Sequence, residues 1–310
     1  MNILVTGGLG HIGSSLIRKL EFSKKTHIFV CDSLLTQRYS SIFHIPDDQN
    51  VRFFKMETQR ITTKFLSAYE ISAVIHLAAM TDATGSFERR DELFKNNLGG
   101  TQQLANSCGE MNVPIIFPSS TSVYGYNESL LTEESVTNPQ SPYAECKLRE
   151  EEYLLSASEQ GLQCTILRFG TIHGVSQGMR FHTAINKFCF QAVLGEPITV
   201  WETALNQMRP YLALSDATRA IQHVLNLNLF NGEVYNVLTN NHSVAEIISQ
   251  IKEILRNNLR VNFVENQIMN QLSYEVSNEK FIKSGFTFTG SLSDDIEQTI
   301  NLLRGVGIRG

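Results

Sequence analysis

A glycine-rich loop near the start of the chain places narrow limits on the fold. Gly7, Gly10 and Gly13 follow the apolar run ILVT and open the amphipathic stretch HIGSSLIRKL, and Gly8, Gly10 and Gly13 also fit the spacing G-x-G-x-x-G. Without Cβ atoms the backbone can turn tightly and approach a diphosphate, which the unpaired N–H groups at a helix N-terminus bind. The loop therefore predicts a strand, a turn and a helix at a phosphate-binding site.

The alternation of apolar and amphipathic segments continues through the first half of the chain. The apolar runs are HIFVCDS, VRFFKME, SAVIHLAA and VPIIFPSS, and longer, partly helical stretches separate them. Parallel strands with helices on both faces give this pattern. We predict an α/β fold with a doubly wound parallel sheet of the Rossmann type.

An acid at the end of the second predicted strand completes a dinucleotide-binding pattern. Asp32 ends the run IFVCD, about 20 residues after the glycine loop, where a carboxylate accepts hydrogen bonds from the adenosine ribose hydroxyls. The same carboxylate repels a 2′-phosphate, so the predicted cofactor is NAD. A glycine-rich turn that serves only packing is the alternative.

After the segment TILRFGTIHG the pattern becomes less regular. Helices are predicted at 181–194, 215–228 and 243–256, with extended segments PITVW and EVYNVL between them. We predict an NAD-binding domain at 1–172, with 211–240 returning to it. The segments 173–210 and 241–310 form a smaller, interleaved C-terminal domain for the substrate.

Composition argues against several classes of partner. The formal net charge of −5 gives no general attraction to nucleic acid or to anionic membranes. No apolar run reaches the length of a membrane span, and the N-terminus lacks a signal-peptide pattern. The five cysteines are scattered without C-x-x-C spacing, so neither disulfides nor a metal site are predicted, and a cytoplasmic location is expected.

Tyr143 and Lys147 stand four residues apart in the segment SPYAECK. Ser141 can cap a helix that has Pro142 at its first position, so the pair shares one helix face. An ammonium stabilises a neighbouring phenolate, which suits proton transfer. The spacing also arises by chance on many helices, so taken alone it leaves both interpretations open.

Other segments in the same order resemble the extended short-chain dehydrogenase/reductase family, in the nucleotide-sugar epimerase/dehydratase group that includes UDP-galactose 4-epimerase. The resemblance covers nearly the whole chain, including its C-terminal part from residue 274. The matching segments are TGGLGHIG, VIHLAA, NNLGGTQQL, FPSSTSVYG, SPYAECK, LRFGTIHG, RPYLALSDATRAI and GEVYNV.

The resemblance implies roles for individual residues. Tyr143 exchanges a proton with a sugar hydroxyl, Lys147 binds the nicotinamide ribose, and Ser120 completes the relay, with Ser119 and Thr121 as competitors or as simple capping hydroxyls. The implied cofactor-binding residues besides Tyr143 and Lys147 are Gly7, Gly10, His11, Ile12, Gly13, Asp32, Ser33, Glu57, Leu77, Ala78, Ala79 and Asn97. The implied substrate-binding residues are Ser120, Thr121, Ser122, Tyr143, Thr171, Arg180, Asn186, Arg209 and Glu275.

Departures from the family pattern reduce the number of reactions and substrates that are expected for this chain. Thr121, Ser122 and Val123 stand where the dehydratases and decarboxylases carry acids, so water elimination loses its acid/base pair. His11, at a position that is often aromatic, is expected to pack over the loop. Thr171 and His173 replace residues that border the sugar in relatives, so the substrate of the galactose epimerase does not transfer directly.

The predicted function is an NAD-dependent nucleotide-sugar epimerase that acts through a 4-keto intermediate. An NDP-sugar 4-dehydrogenase or 4-ketoreductase is the alternative, followed by a 4,6-dehydratase and a non-catalytic NAD(H)-sensing protein. The resemblance also implies a homodimer in which the helix after VIHLAA and the helix that carries Tyr143 pair across the interface as a four-helix bundle. The same helices would look similar if they only packed on their own sheet.

Overall fold

Seven parallel strands form the central sheet of the computed structural model, which describes residues 1–20, 26–45, 50–127, 129–201, 204–256, 259–264 and 273–306. The strands in chain order are β1 (Asn2–Thr6), β2 (His27–Asp32), β3 (Val51–Lys55), β4 (Ala73–His76), β5 (Ile115–Ser120), β6 (Leu130–Leu131), β7 (Cys164–Phe169), β8 (Thr171–His173), β9 (Ile198–Trp201), β10 (Met208–Ala213), β11 (Glu233–Val237), β12 (Asn240–Ser243), β13 (Val261–Val264) and β14 (Glu275–Val276). The helices are α1 (His11–Lys19), α2 (Thr63–Ala68), α3 (Arg90–Met111), α4 (Pro142–Glu159), α5 (Ala184–Val193), α6 (Leu214–Leu227), α7 (Val244–Leu255), α8 (Glu279–Lys283) and α9 (Leu292–Leu303).

The order of the strands places a crevice at the end of β1. Across the central sheet the order is β11-β7-β5-β4-β1-β2-β3, and every neighbouring pair is parallel. The chain moves outward from β1 to β3 and then crosses back to β4, so the connections leave β1 and β4 in opposite directions. Ligands bind at such a switch point in α/β sheets. The predicted Rossmann-type parallel sheet is confirmed.

Helices cover both faces of the sheet, which explains why its inner strands are mostly buried and apolar. Leu16 and Ile17 of α1 pack with Ile221 of α6 on one face. Leu104 of α3 and Leu154 of α4 belong to the cluster on the other face. None of the helices in the described part of the chain is long and apolar enough to span a membrane.

A third apolar cluster holds together the smaller, later part of the chain. Helices α5, α7 and α9 contribute Phe188, Ile247 and Ile296 to it. The helix predicted at 181–194 begins only at Ala184, because Thr183 still has an extended backbone. Strand β11 pairs with β7 in the central sheet, and β10 and β12 pair in a separate three-stranded sheet with β8. The division into two domains, with 211–240 returning to the first, stays a prediction.

A buried ion pair joins α4 to the central sheet. Arg168 Nη2 lies 2.7 Å from Glu151 Oε2, and the side chains are 7% and 1% exposed. Arg168 Nη1 also donates to the Tyr124 hydroxyl (2.8 Å), which donates to Asn236 Oδ1 (2.8 Å). The network therefore ties one helix to strands β7 and β11.

Arg168→Leu is expected to lower the free energy of unfolding by about 3–5 kcal/mol, because it leaves the Glu151 carboxylate buried without its cation. Urea denaturation at neutral pH measures the change. Arg149→Leu is the matched control, since it breaks the Arg149–Glu152 pair, whose side chains are 58% and 52% exposed, and is expected to cost less than about 1 kcal/mol. Equal losses in the two variants would contradict the role of the buried network.

Candidate active site

The glycine loop between β1 and α1 can form only with glycine at two of its positions. Gly7 has a φ of +65°, and a Cβ there would lie 2.6 Å from the backbone N and Cα of Ala78. A Cβ on Gly13 would lie 2.6 Å from Gly8 Cα. A Cβ on Gly10 would meet only the Gly7 carbonyl oxygen, at 3.2 Å, a tight contact but a less severe one than at Gly7 and Gly13. The loop thus packs on the end of β4 and leaves the N-terminus of α1 accessible to a diphosphate.

A groove along this loop brings together most of the predicted cofactor residues. Asp32 lies at its far end, where its Oδ2 accepts from the Leu9 N–H (3.1 Å) and its Oδ1 from the Leu34 N–H (2.8 Å). Each carboxylate oxygen can accept more than one hydrogen bond, so Asp32 both fixes the loop and can still bind ribose. The predicted residues that line the groove are Gly7, Gly10, His11, Ile12, Gly13, Asp32, Ser33, Glu57, Leu77, Ala78 and Ala79.

Asn97 supports the groove from behind and does not line it. Its Oδ1 accepts from the Met80 N–H (2.8 Å) and its Nδ2 donates to the Met80 carbonyl (2.9 Å), so it fixes the segment after β4. The neighbouring Asn96 lines the groove, as does Arg38, which the sequence analysis missed. Arg38 Nη1 donates to the Met179 carbonyl at 3.2 Å. No periodic pattern in the segment LLTQRYS indicates that role.

A second cavity of about 570 Å³ adjoins the groove and shares Ile12, Leu77 and Arg180 with it. Its size suits a small-molecule ligand. Asn186 and Glu275 were predicted for the substrate but do not line this cavity. The predicted residues that do line it are Ser120, Thr121, Ser122, Tyr143, Lys147, Thr171, Arg180 and Arg209.

Tyr143 and Lys147 reach the second cavity from the first turns of α4. Ser141 caps the helix by accepting from the Ala144 N–H, and Pro142 occupies its start, as predicted. The Lys147 ammonium lies 4.4 Å from the centre of the Phe117 ring, and only 4% of the side chain is exposed. Burial disfavours this charge, but the Glu150 carboxylate and Tyr143 raise the pKa of Lys147 above its ordinary value. Lys147 therefore stays an ammonium beside Tyr143 over the physiological pH range.

Ser119, Ser120 and Thr121, at the end of β5, all line this cavity, but their hydroxyl groups have different hydrogen-bond partners. Ser120 Oγ accepts from both the N–H and the hydroxyl of Ser122, at 3.2 and 2.9 Å, and so caps the short helix that follows. Its own hydrogen is left to donate to a ligand. Thr121 Oγ1 donates to the Phe169 carbonyl at 3.3 Å, and the Ser119 hydroxyl donates to Glu151. Ser120 is thus the best placed of the three candidates for the relay.

Arg180 lies between the groove and the cavity and carries an unpartnered Nε. Burial lowers the pKa of Arg180 to about 10, but the group remains charged. Asn186 donates to the Arg180 carbonyl at 2.8 Å, so it holds this segment in place from outside the cavity. A desolvated guanidinium with a free N–H favours an anionic ligand here.

Several residues of the cavity wall are not among those predicted from the sequence. Tyr274, one residue before Glu275, lines the cavity, while Glu275 is exposed on β14. Consecutive residues of an extended segment point to opposite faces, so Tyr274 faces the cavity and Glu275 faces away from it. Asp82 and His182 come from irregular segments around the cavity. The apolar and glycine patterns carry no signal for them.

His11 packs as the sequence analysis expected. It is buried, its Nε2 lies 2.8 Å from the Gly174 carbonyl, and burial lowers the pKa of His11 to about 3. The ring is therefore neutral and donates to that carbonyl. His173 Nδ1 lies 2.8 Å from Asp295 Oδ2, outside the cavity wall.

Comparison with protein families gives one match that covers most of the chain. The model of the NAD dependent epimerase/dehydratase family matches residues 3–237. An uncharacterized UDP-glucose epimerase of Bacillus subtilis is 29% identical over 265 residues, which are 82% of each protein. A dTDP-D-glucose 4,6-dehydratase of Dictyostelium discoideum is 29% identical over 255 residues, 76% of this chain and 58% of that protein.

A solved structure matches the whole fold. The UDP-glucuronic acid 4-epimerase of Bacillus cereus, in complex with UDP-glucuronic acid and NAD, superposes with a TM-score of 0.91. The sequences are 25% identical, and the match covers 99% of this chain and 100% of that one. The same fold in that enzyme thus holds a dinucleotide and a nucleotide sugar together.

Proposed function

Because the chain belongs to the NAD dependent epimerase/dehydratase family, we propose that it is an NAD-dependent nucleotide-sugar epimerase that acts through a 4-keto intermediate. The observation that carries the proposal is the position of Tyr143 and Lys147. Both line a cavity that is continuous with the groove along the glycine loop. A sugar in the cavity can therefore meet the proton-transfer pair and a dinucleotide at once.

NAD bound in the groove supplies a hydride acceptor that can return the hydride to C4 of the sugar. Tyr143 removes the proton from the C4 hydroxyl. The 4-keto sugar then turns its opposite face to the nicotinamide, the hydride returns to C4, and Tyr143 gives the proton back to the C4 oxygen. Lys147 stabilises the phenolate form of Tyr143 through its buried positive charge. Ser120, whose oxygen already accepts from Ser122, donates its hydrogen to the same sugar oxygen.

The composition of the cavity wall favours epimerisation over dehydration. Thr121 and Ser122 supply hydroxyl groups, and Val123 is buried and apolar. No carboxylate stands at these three positions, so this part of the wall lacks the acid/base pair that elimination of water needs. A 4-dehydrogenase or 4-ketoreductase would use the same residues, and consumption of the cofactor distinguishes it from an epimerase.

The experiment is to incubate the purified protein with UDP-glucose or UDP-glucuronic acid, without added NAD, and to follow the sugar by NMR. We expect each accepted substrate to reach an equilibrium mixture of its C4 epimers. A 4-dehydrogenase would instead oxidise sugar only up to the amount of bound cofactor. No conversion of any nucleotide sugar would contradict the proposal.

Arg209 at the end of the cavity is proposed to bind the diphosphate of the substrate. Arg209→Leu is expected to raise KM by about tenfold or more with a smaller change in kcat, since a charge-assisted contact to phosphate contributes about 1.5–3 kcal/mol. Arg209→Lys is the matched variant, and we expect an intermediate KM because lysine keeps the charge but lacks the planar pair of donors. Initial rates over a range of substrate concentrations give both constants. An unchanged KM in Arg209→Leu would place the diphosphate elsewhere.

A homodimer and a cytoplasmic location remain part of the proposal. Helices α3 and α4 lie side by side, and Arg90 Nη2 of α3 donates to Glu145 Oε1 of α4 at 3.0 Å. The exposed faces of this helix pair are the surface that a second copy would cover. Light scattering on the eluted protein measures the mass, and a monomer at micromolar concentration would contradict the dimer.

A further inference from the structure

Lys147 forms a buried ion pair with Glu150, a carboxylate that pairs with no other cation among the described residues. Glu150 lies one helical turn further along α4, with its Oε2 3.1 Å from Lys147 Nζ, and its side chain is 0% exposed. The next residue, Glu151, pairs with Arg168 instead. The two consecutive buried carboxylates thus serve different cations.

A chain of buried polar side chains holds the Glu150 carboxylate from its other side. The Thr101 hydroxyl on α3 donates to Glu150 Oε1 at 2.5 Å. Thr101 Oγ1 lies 3.0 Å from His76 Nε2, and His76 Nδ1 lies 2.7 Å from Thr6 Oγ1. Thr6 Oγ1 in turn lies 3.2 Å from the backbone N of Ala78, a residue of the cofactor groove.

Only one set of hydrogen positions satisfies every hydrogen bond in this row of side chains, which we call the Thr6–His76–Thr101 chain. A carboxylate can only accept, so Thr101 uses its hydrogen on Glu150 and must accept from His76 Nε2–H. Burial and the Lys147 ammonium lower the pKa of His76 to about 3, so the ring is neutral and carries one N–H. His76 Nδ1 then accepts from the Thr6 hydroxyl. Every donor in the chain therefore points toward the carboxylate, an arrangement in which the hydrogen bonds strengthen one another.

The charges around Lys147 make Glu150 the dominant electrostatic partner. The titratable groups that face the ammonium are Tyr143, Cys146 and Glu150 on its own helix, and His76 on β4. Burial raises the pKa of the Cys146 thiol to about 12, so this group stays neutral, as does His76. A carboxylate is thus the group that can hold a buried ammonium charged at alkaline pH.

We propose that Glu150 is a positioning residue of the enzyme. Fixed by the Thr6–His76–Thr101 chain, it keeps the Lys147 ammonium charged and in place beside Tyr143. This inference rests on the function proposed above for Tyr143 and Lys147. It also links the Ala78 backbone of the cofactor groove to the proton-transfer pair through a row of buried side chains.

The first test compares the pH dependence of kcat in the wild type and in Glu150→Gln, which keeps the shape of the side chain but removes its charge. Without the carboxylate, burial lowers the pKa of Lys147, so the ammonium is lost at a lower pH. We expect kcat close to wild type near pH 6 and lower by about tenfold or more near pH 9, since one pKa unit corresponds to a factor of ten. A ratio of kcat values that stays constant over this range would contradict the proposal. Glu152→Gln, an exposed change in the same helix, should leave the profile unchanged.

The second test uses stability and does not depend on turnover. In the wild type the raised Lys147 pKa gives a stabilisation that is fully present below the pKa of an unfolded lysine and is lost as pH rises through the folded value. In Glu150→Gln the pKa of Lys147 is lowered instead of raised, so its effect on stability has the opposite sign. The free energy of unfolding of this variant should rise with pH as the ammonium loses its proton. As pH rises, the difference in the free energy of unfolding between the two proteins therefore becomes smaller, while the ratio of their kcat values becomes larger. A wild type without turnover contradicts the proposed function, whereas a stability gap independent of pH contradicts the coupling between Glu150 and Lys147.

Two substitutions at Thr101 test the role of the Thr6–His76–Thr101 chain without adding or removing a charged group. Thr101→Val removes the hydroxyl that donates to Glu150, and we expect the alkaline loss of kcat to move to lower pH, by less than in Glu150→Gln. Thr101→Ser keeps the hydroxyl and should retain the wild-type profile. A Thr101→Val profile that superposes on the wild type would overturn the role of the chain.

Discussion

Tyr143→Phe is expected to lower kcat for epimerisation by about 10²–10⁴-fold, the range that a positioned acid/base contributes. The substitution removes only the hydroxyl oxygen that accepts and returns the proton. Tyr143 contributes its backbone N–H to a hydrogen bond with Ser86 Oγ (3.3 Å), and that bond remains in the variant. Thermal unfolding and the content of bound cofactor should therefore stay close to wild type. Sugar conversion measured by NMR gives the rate.

Tyr153→Phe is the matched control for this result. Tyr153 lies on the same helix, and its hydroxyl donates to Asn106 Oδ1 at 2.6 Å on an exposed part of the surface. We expect kcat to change by less than about twofold, because the loss of one exposed hydrogen bond costs on the order of 1 kcal/mol in stability and does not affect the reacting atoms. A Tyr143→Phe enzyme as active as Tyr153→Phe would remove Tyr143 from the mechanism.

Gly7→Ala is expected to abolish retention of NAD, and with it all epimerisation without added cofactor. An alanine at a φ of +65° is strained, and its Cβ would lie 2.6 Å from backbone atoms of Ala78, far inside van der Waals contact. The loop must move away from β4, and the N–H groups that receive the diphosphate move with it. Cofactor released from the denatured protein, counted per chain, measures the loss.

Gly109→Ala is the control for replacement of a glycine. It lies on α3, where a Cβ meets nothing within 4 Å, and alanine is favoured over glycine in a helix by about 0.5–1 kcal/mol. We expect a small gain in stability and a normal content of NAD. A Gly7→Ala protein that keeps its full content of NAD would contradict the assignment of the glycine loop.

The part of the site that the sequence predicts is the part encoded by local spacing. Gly7 and Asp32 lie at the ends of the neighbouring strands β1 and β2, and Gly13 lies in the first turn of α1. A glycine turn followed by a strand-end acid identifies them without knowledge of the rest. The α/β class follows for the same reason, because each buried strand is a short apolar run between longer stretches. Tyr143 and Lys147 needed the order of several segments in addition to their own spacing.

The part that the sequence does not predict depends on how distant segments pack. Arg38, Asp82 and His182 reach the cavities from irregular segments that have no periodic pattern. Asn97 and Asn186 were predicted to contact ligands, whereas they hold the backbone of Met80 and Arg180 in place. These positions are set by backbone hydrogen bonds that only the folded chain defines.

Glu150 is the clearest case of a position that the local sequence does not predict. It belongs to the segment KLREEE, and three consecutive acids on a helix are expected to face solvent. The structure buries the first two of them and leaves Glu152 exposed. The packing of α4 against α3 brings Thr101 to Glu150, and no pattern within α4 alone encodes that contact.

The central claim is that one bound NAD takes a hydride from C4 of the sugar and returns it to the same carbon. The most direct measurement uses a nucleotide sugar deuterated at C4, incubated with the purified holoenzyme in the absence of added NAD. We expect the epimerised product to retain deuterium at C4 over many turnovers, with no free NADH in solution. Loss of the label to solvent, or its appearance in released NADH in proportion to the sugar consumed, would contradict the account.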